Sequence, residues 1–391
     1  MSKEKMKILV CNAGSTSLKF KLFEMPSERV IASGGVERVG SEDDAVFHYR
    51  SIDCEEVNLQ KCSIKDYKSG IELFLKHLSS DICGIDEIRR VGFKTVLSRT
   101  CFGTCELDDQ VLRGMRDWQV LAPVHARAYL ESIQAMKQSL PDARMIGVFE
   151  TGFHKTIPLE RRIYGVPYQW YEKYGIQRLG FHGASHSYIA SCLSALKQHY
   201  RAISCHLGGS GSICAILDGK SIDTSFGMSL ETGLIHANRV GDMDPTMVFY
   251  LMQEGLGQDE ILNGLQINGG LAGISGVSGD LRYVQEAADK GNSRAKLALD
   301  AYVNGIVHYI GAFAMDLGGL DNLVFTAGIG EHSAAVRKAV CQKLGALGVR
   351  IDDSKNDRNC PIISADDSDV VVRVIPTDEE LVVARETYKL D

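Results

Sequence analysis

Three segments of the chain place glycine, serine and threonine directly after a short apolar run. They are residues 8–20 (ILVCNAGSTSLKF), 203–213 (ISCHLGGSGSI) and 323–333 (LVFTAGIGEHS). Small side chains at the end of a strand let backbone N–H groups approach a phosphate closely. One such turn is weak evidence, but three with the same layout predict a protein that handles phosphate.

The first two segments return to apolar or alternating residues after the turn, and this pattern predicts a strand–turn–strand hairpin. The pattern differs from a phosphate-binding loop that leads into a helix. The string GxxxxGK[ST] is absent from the sequence, so the common P-loop interpretation is excluded.

The length of 391 residues predicts two domains, because one ordinary core does not grow this large. The hydrophobic share of 45% and charged share of 24% are typical of a soluble globular protein. The net charge of -7 argues against nucleic acid or an anionic membrane as partner. With neither a membrane-length apolar run nor a signal-peptide core in the sequence, we expect a cytoplasmic protein.

The 11 cysteines are scattered singly, without a CxxC motif, and Cys101 and Cys105 form the close pair. An odd number of scattered cysteines in a cytoplasmic protein predicts reduced structural thiols rather than disulfides or a metal site.

Alternating strand and helix patterns predict an α/β fold. Strands are expected near residues 6–12, 17–23 and 30–37, and a similar set near residues 203–207, 213–217 and 220–224. The recurrence of strand, Gly/Ser turn and strand predicts a duplicated domain with one phosphate hairpin in each copy.

Further strings show that the chain resembles acetate kinases, and more widely the acetokinase group of the actin/sugar-kinase/Hsp70-like ATPases. Besides the three segments above, they are LAPVH (121–125), FETGFHKTIP (149–158), YGIQRLGFHGASH (174–186), NRVGDMDP (238–245) and TDEELVVARET (377–387). The resemblance implies two duplicated actin/Hsp70-like ATPase domains with a nucleotide cleft between them. The first would span residues 1–150, with the terminal helix 381–391 packed on it, and the second residues 151–380.

The same resemblance implies an activity and its partners. The chain would transfer the γ-phosphoryl group of ATP to a small carboxylate, acetate or propionate by default, giving an acyl phosphate and ADP reversibly. Mg²⁺ would be the cofactor, and the protein would be a homodimer that binds neither nucleic acid nor membrane.

Family positions also imply roles for individual residues. Glu150, His182 and Arg239 would be catalytic, with the planar guanidinium suited to a phosphoryl group. Asn12 and Glu379 would hold Mg²⁺, a hard ion that prefers oxygen ligands. The acceptor would be bound by Lys94, Val96, Val124, Phe181 and Leu230. The nucleotide and its phosphates would be bound by Lys19, His206, Leu207, Gly208, Gly209, Ser210, Asp280, Leu281, Arg282, Gly328, Ile329, Gly330, Glu331 and His332.

Four departures from the family pattern lie on the acceptor and phosphate side. The family's Gly-His-Arg-Val-Val-His-Gly-Gly reads GFKTVLSR at residues 92–99, so an Arg is replaced by Lys94. The family's Phe-Asp-Thr carries Glu150, the Asn of its His-Leu-Gly-Asn-Gly turn is Gly209, and its Pro-Leu-Glu-Gly begins with Leu230. Lysine cannot reproduce the bidentate grip of arginine. Because lysine is shorter than arginine and glutamate longer than aspartate, we predict that Lys94 and Glu150 compensate as a coupled pair.

These departures leave alternatives open. The acceptor could be a different short carboxylate with weak acetate activity, or pyrophosphate could replace ATP. The chain could also be a nucleotide-binding protein that has lost kinase activity. The intact GIGEH string disfavours pyrophosphate, and a retained cation and acid at positions 94 and 150 favour the enzyme.

Overall fold

The computed structural model describes residues 4–52, 56–82 and 84–391, and the side chains of residues 80, 81 and 123–126 fall outside this description. The chain divides into two compact units. Unit 1 comprises Met1–Gly152 and Asp378–Asp391, and unit 2 comprises Phe153–Thr377.

The strands follow one another in chain order as β1 (Met6–Ala13), β2 (Ser17–Met25), β3 (Arg29–Glu37), β4 (Ser41–Ser51), β5 (Val57–Ile64), β6 (Ile88–Thr95), β7 (Thr104–Glu106), β8 (Arg144–Phe149), β9 (Arg201–Leu207), β10 (Gly211–Leu217), β11 (Lys220–Thr224), β12 (Asn322–Thr326) and β13 (Val371–Val374). The helices are α1 (Tyr67–Asp81), α2 (Asp109–Asp117), α3 (Pro123–Ser139), α4 (Leu159–Arg162), α5 (Tyr168–Tyr174), α6 (Gly183–Leu196), α7 (Thr246–Gln253), α8 (Gln258–Gln266), α9 (Gly270–Ser275), α10 (Leu281–Asp289), α11 (Ser293–Asp316), α12 (Ala327–His332), α13 (Ala334–Gln342), α14 (Asp353–Asp357) and α15 (Glu379–Lys389).

Unit 1 is built on an eight-stranded sheet in the order β5-β4-β3-β2-β1-β6-β8-β7. The first Gly/Ser segment is the turn of the antiparallel β1–β2 hairpin, in which Asn12 pairs with Lys19. Strands β1, β6 and β8 are parallel neighbours, so their carboxyl ends lie at one edge of the sheet. Helix α15 packs on these three strands and β2. Gly92 permits its close approach, since a Cβ there would collide with the Thr387 side chain.

Unit 2 is built on a five-stranded sheet in the order β11-β10-β9-β12-β13. The second Gly/Ser segment is the turn of the antiparallel β9–β10 hairpin, and β9, β12 and β13 run parallel. The third segment leads from β12 directly into α12. The long helix α11 covers one face of the sheet through fully buried residues such as Ile306 and Ile310.

Five strands of unit 1, in the order β3-β2-β1-β6-β8, match the five strands of unit 2 in order and in direction. The predicted α/β class, the two hairpins and the duplicated plan are therefore confirmed. The first three strands of each copy are antiparallel because short turns join them, while the last two arrive through connections that contain helices.

Two features differ from the sequence-based expectations. Strands β4 and β5 lie at one end of the unit 1 sheet, where three exposed acidic residues near the start of β4 precede its alternating burial, and the edge strand β5 is mostly exposed without clear alternation. The expectation of reduced thiols is wrong for Cys101 and Cys105, which are joined by a disulfide. The loop that precedes and enters β7 brings their Cα atoms to 6.8 Å.

Within the described ranges, no helix combines the length and apolar character needed to cross a bilayer.

Candidate active site

The carboxyl ends of the parallel strands of unit 1 carry three of the predicted site residues. Asn12 lies near the end of β1, Lys94 near the end of β6, and Glu150 directly after β8. The backbone N–H of Glu150 donates to the carbonyl oxygen of Thr95 at 2.8 Å, which extends the β6–β8 pairing into the site. Open α/β sheets characteristically bind ligands at this edge.

Lys94 lies between two carboxylates. Its Nζ is 2.5 Å from Oε2 of Glu379 and 3.4 Å from Oε1 of Glu150. The side chains of Lys94, Glu150 and Glu379 are 17%, 5% and 14% exposed, and we call these three residues the acid–lysine triad. Burial disfavours the ammonium, but the two carboxylates outweigh it and raise the pKa of Lys94 well above its usual range. Lys94 is therefore charged at neutral pH. Its contact with Glu150 is a condition for the predicted compensation between these two departures from the family pattern.

Tyr129 of α3 is a buried neighbour of the triad that the sequence reasoning missed. Burial raises the pKa of its phenol, the ammonium of Lys94 lowers it, and the two carboxylates of the triad raise it. The available signal was its spacing: Tyr129 follows His125 of the LAPVH string by four residues, which is one helical turn.

Val96 follows β6 and is buried at the wall of a small cavity of about 10 Å³. The cavity is lined by Val96, Leu97, Met115, Trp118, Ala122 and Tyr129. The side chains of Val124 and His125 lie outside the described residues. Phe181 and Leu230 are buried and belong to unit 2.

The predicted metal ligands, Asn12 and Glu379, both belong to unit 1. Among the residues that the structure describes, no group of three His, Cys, Asp or Glu side chains could hold a metal. Mg²⁺ characteristically uses one or two carboxylates and completes its shell with waters and phosphate oxygens. The amide oxygen of Asn12 and the carboxylate of Glu379 are donors of this kind, so the residues present fit the ion.

In unit 2, His182 precedes α6 in a left-handed conformation, with φ of 55°. Its Nδ1 lies 2.9 Å from Oγ of Ser212, and its ring stacks on His206 with centroids 3.9 Å apart. Nδ1 of His206 lies 2.8 Å from Oγ of Ser185. The two histidines that the sequence assigned to phosphate are thus held face to face at the hairpin of unit 2.

Arg239 reaches the turn of the same hairpin. Its Nη2 donates to Oγ of Ser210 at 2.5 Å, while its Nε is buried without an acceptor from the described residues. Burial lowers the pKa of Arg239, and the carboxylate of Glu231 opposes that effect. A partly buried guanidinium whose Nε–H is buried and unused is suited to an anion such as a phosphoryl group.

A cavity of about 960 Å³ opens beside this turn within unit 2. The predicted nucleotide residues that line it are Gly208, Gly209, Asp280, Leu281, Arg282, Gly328, Ile329 and His332. Leu281 and Ile329 supply apolar surface, and the volume is in the range of small-molecule sites. The sequence reasoning missed Asn238, Ser278 and Gln285, which line the cavity without belonging to a glycine-rich string.

The remaining predicted nucleotide residues do not line this cavity. They are His206, Leu207, Ser210, Gly330 and Glu331 of unit 2 and Lys19 of unit 1. Gly330 is buried within α12, and Oε1 of Glu331 accepts a hydrogen bond from the backbone N–H of Thr377. Lys19 is exposed on β2.

The sequence matches the model of the Acetokinase family over residues 7–385. It is 43% identical over 393 residues to the acetate kinase of Acholeplasma laidlawii, covering 98% of this chain and 99% of that protein. Identity to the acetate kinase of Treponema denticola is 42% over 397 residues, covering 98% and 100%.

Solved structures are similar over the same extent. The crystal structure of Porphyromonas gingivalis acetate kinase is 37% identical with a TM-score of 0.85, covering 98% of each chain. That of a propionate kinase from Francisella tularensis is 32% identical with a TM-score of 0.91, covering 99% of this chain and 100% of the other.

Proposed function

The chain belongs to the acetokinase family, and we propose that it transfers the γ-phosphoryl group of ATP to acetate or propionate, reversibly giving an acyl phosphate and ADP. It is a phosphotransferase with a carboxyl group as acceptor. The observation that carries the proposal is the cavity of about 960 Å³ beside the unit 2 hairpin, whose turn also holds the partly buried guanidinium of Arg239.

Phosphoryl transfer needs positioning and neutralisation of charge rather than covalent chemistry from the protein. Arg239 has an unused buried N–H for an equatorial oxygen of the transferring group. His182 is held by Ser212 and by stacking on His206, and supplies an imidazole to the same group. Both act mainly on the transition state, in which the phosphoryl charge is most widely spread.

Unit 1 supplies the groups for the acceptor. The ammonium of Lys94 binds the acceptor carboxylate as a point charge, while Glu150 holds that ammonium in place from 3.4 Å. Val96 contributes apolar surface toward a short tail. Asn12 and Glu379 would hold Mg²⁺, directly or through water, and the ion would neutralise phosphate charge.

The nucleotide side favours ATP over pyrophosphate. A cavity of about 960 Å³ with apolar surface from Leu281 and Ile329 provides room and contacts for a nucleoside that pyrophosphate would not use. The alternative of a nucleotide-binding protein without kinase activity is disfavoured because the triad retains both an acid and a cation. A cytoplasmic location also belongs to this proposal.

A hydroxamate-trap assay tests the proposed function. With Mg²⁺–ATP, we expect acyl hydroxamate from acetate or propionate, and a smaller yield from longer carboxylates. Pyrophosphate in place of ATP should give none. Nucleotide binding without hydroxamate from any acceptor would establish the binding-protein alternative instead.

We also propose a homodimer, supported by two exposed apolar helices of unit 2. Helix α7 has no buried residue, and its Phe249 and Tyr250 are 70% and 57% exposed. Helix α5 exposes Tyr168, Trp170 and Tyr174. Exposed aromatic surface of this kind commonly marks an interface with another protein.

Light scattering tests the dimer. The parent protein should have twice the chain mass of 42.9 kDa, and Phe249→Asp combined with Tyr250→Asp should reduce it to one chain. Leu196→Asp, an exposed apolar position outside both helices, is the matched control and should leave the mass unchanged. A parent mass of 42.9 kDa across the micromolar range would rule the dimer out.

A further inference from the structure

Residues 236–239, which we call the arginine segment, contact each of three successive residues of the unit 2 hairpin. The backbone N–H of Ala237 donates to the carbonyl oxygen of Gly209 at 2.8 Å. Arg239 donates to Oγ of Ser210, and the backbone N–H of Gly211 donates to Nδ1 of His236 at 3.2 Å. The hairpin turn and the guanidinium are thus held together by contacts that include one imidazole.

The partners of His236 define its protonation state. Because its Nδ1 faces the N–H of Gly211, that nitrogen must accept and cannot carry a hydrogen. Nε2 lies 3.1 Å from the carbonyl oxygen of Thr232, which can only accept, so Nε2 carries the hydrogen. His236 is therefore a neutral imidazole in the Nε2–H tautomer.

The electrostatic surroundings agree with this assignment. Burial and the positive charge of Arg239 lower the pKa of His236 to about 3, although the carbonyl of Thr232 opposes the shift. An imidazolium would direct a second N–H at the N–H of Gly211 and would lose that hydrogen bond.

The ring of His236 is also held by packing. The residue is 1% exposed and stacks on Phe226, with centroids 5.3 Å apart and planes inclined by 15°. Phe226 also makes edge-to-face contacts with Phe181 and with the ring of His182, each with centroids 5.2 Å apart. His236 therefore connects the hairpin, the arginine segment and the packing around His182 within unit 2.

We propose that His236 is a positioning residue, whose neutral imidazole sets the placement of the hairpin turn relative to Arg239. The inference rests on the proposed function, since the distance that His236 fixes is the one between the phosphate-binding turn and the guanidinium of Arg239. His236 acts through these groups rather than on the substrate. A displacement of about 1 Å between them is expected to cost on the order of a hundredfold in rate.

Two substitutions separate the hydrogen bonds from the packing. His236→Phe keeps an aromatic ring against Phe226 but removes both hydrogen bonds, and we expect kcat to fall about 10- to 100-fold. The change in KM for ATP should be smaller than the change in kcat. His236→Asn retains an acceptor near the position of Nδ1 and should recover about tenfold of that loss. His199→Phe is the matched control, since His199 is 79% exposed, and its kinetics should equal those of the parent.

A spectroscopic measurement on the unaltered protein requires no variant to fold. In ¹⁵N-histidine NMR, the signals of His236 are those missing from His236→Phe or His236→Asn. We expect them to show the neutral Nε2–H tautomer between pH 6 and 8. An Nδ1–H tautomer or an imidazolium in this range would overturn the proposal, as would a His236→Phe enzyme with the kcat of the parent. Absence of kinase activity in the parent would overturn the proposed function instead, and the tautomer would still be measured.

Discussion

Arg239→Ala is expected to lower kcat by about 10²- to 10³-fold, the scale of losing one preorganised group that stabilises transition-state charge. Its Nε is buried and unused by the described residues, so the site is prepared for an anion that arrives with the substrates. Because the charge of the transferring group is most spread in the transition state, the affinity for nucleotide should change much less than kcat. Steady-state kinetics with a separate measurement of nucleotide binding would show this difference.

Arg282→Ala is the appropriate comparison. Arg282 also lines the nucleotide cavity, but its side chain is 85% exposed and paired with Asp280. We expect that change to act mainly on KM for ATP and to leave kcat within a few-fold of the parent. An Arg239→Ala enzyme with unchanged kcat would contradict the assignment of Arg239 to the phosphoryl group.

Lys94→Met is expected to abolish acceptor binding and to destabilise unit 1. The substitution removes the ammonium that contacts both Glu150 and Glu379, while the two carboxylates remain buried. Removing one partner of a buried ion pair typically costs about 3–5 kcal/mol. Denaturant unfolding should report the loss of stability, and the hydroxamate assay should report the loss of activity.

The pH dependence of the Lys94 contribution follows from the sign of its shift. The pKa of Lys94 is higher in the folded protein than in the unfolded chain, where it is about 10.4. The stabilisation by its charge is therefore complete below about pH 10 and is lost as pH rises through the folded pKa. Between pH 6 and 8 the difference in unfolding free energy between the parent and Lys94→Met that is due to this charge should stay constant.

The coupling within the triad can be measured by a double-mutant cycle. Lys94→Arg alone places a longer cation against an unshortened Glu150, and Glu150→Asp alone withdraws its carboxylate from Nζ. The two together restore the family's arginine and aspartate. With the effects on acetate kinase activity expressed as activation free energies, the double variant should be more active than the two single effects added together predict, by at least about 0.5 kcal/mol. Strict additivity would show that the two substitutions are independent.

Local features of the structure could be predicted from the sequence because they depend on neighbouring residues. The turns of the β1–β2 and β9–β10 hairpins follow from glycine and serine after apolar runs, and those runs form the strands that enter the turns. The resemblance to acetate kinases then led to Arg239 and to eight of the residues that line the nucleotide cavity. The edge strand β5 could not be recognised in this way, since its mostly exposed side chains show no burial period.

Contacts between distant residues depended on the tertiary structure. Lys94 and Glu379 are 285 positions apart, and they meet because α15 packs on the strands whose carboxyl ends carry Lys94 and Glu150. His236 was absent from the sequence-based site because one histidine in a loop has no periodic signal. Its neutral tautomer follows from two backbone groups, Gly211 and Thr232, that the fold brings to its opposite ring nitrogens. The sequence by itself determined the strand–turn–strand hairpins, since those depend on near neighbours. Only the tertiary structure decided which charges and hydrogen-bonding groups face one another, because sheet order and helix packing set those distances.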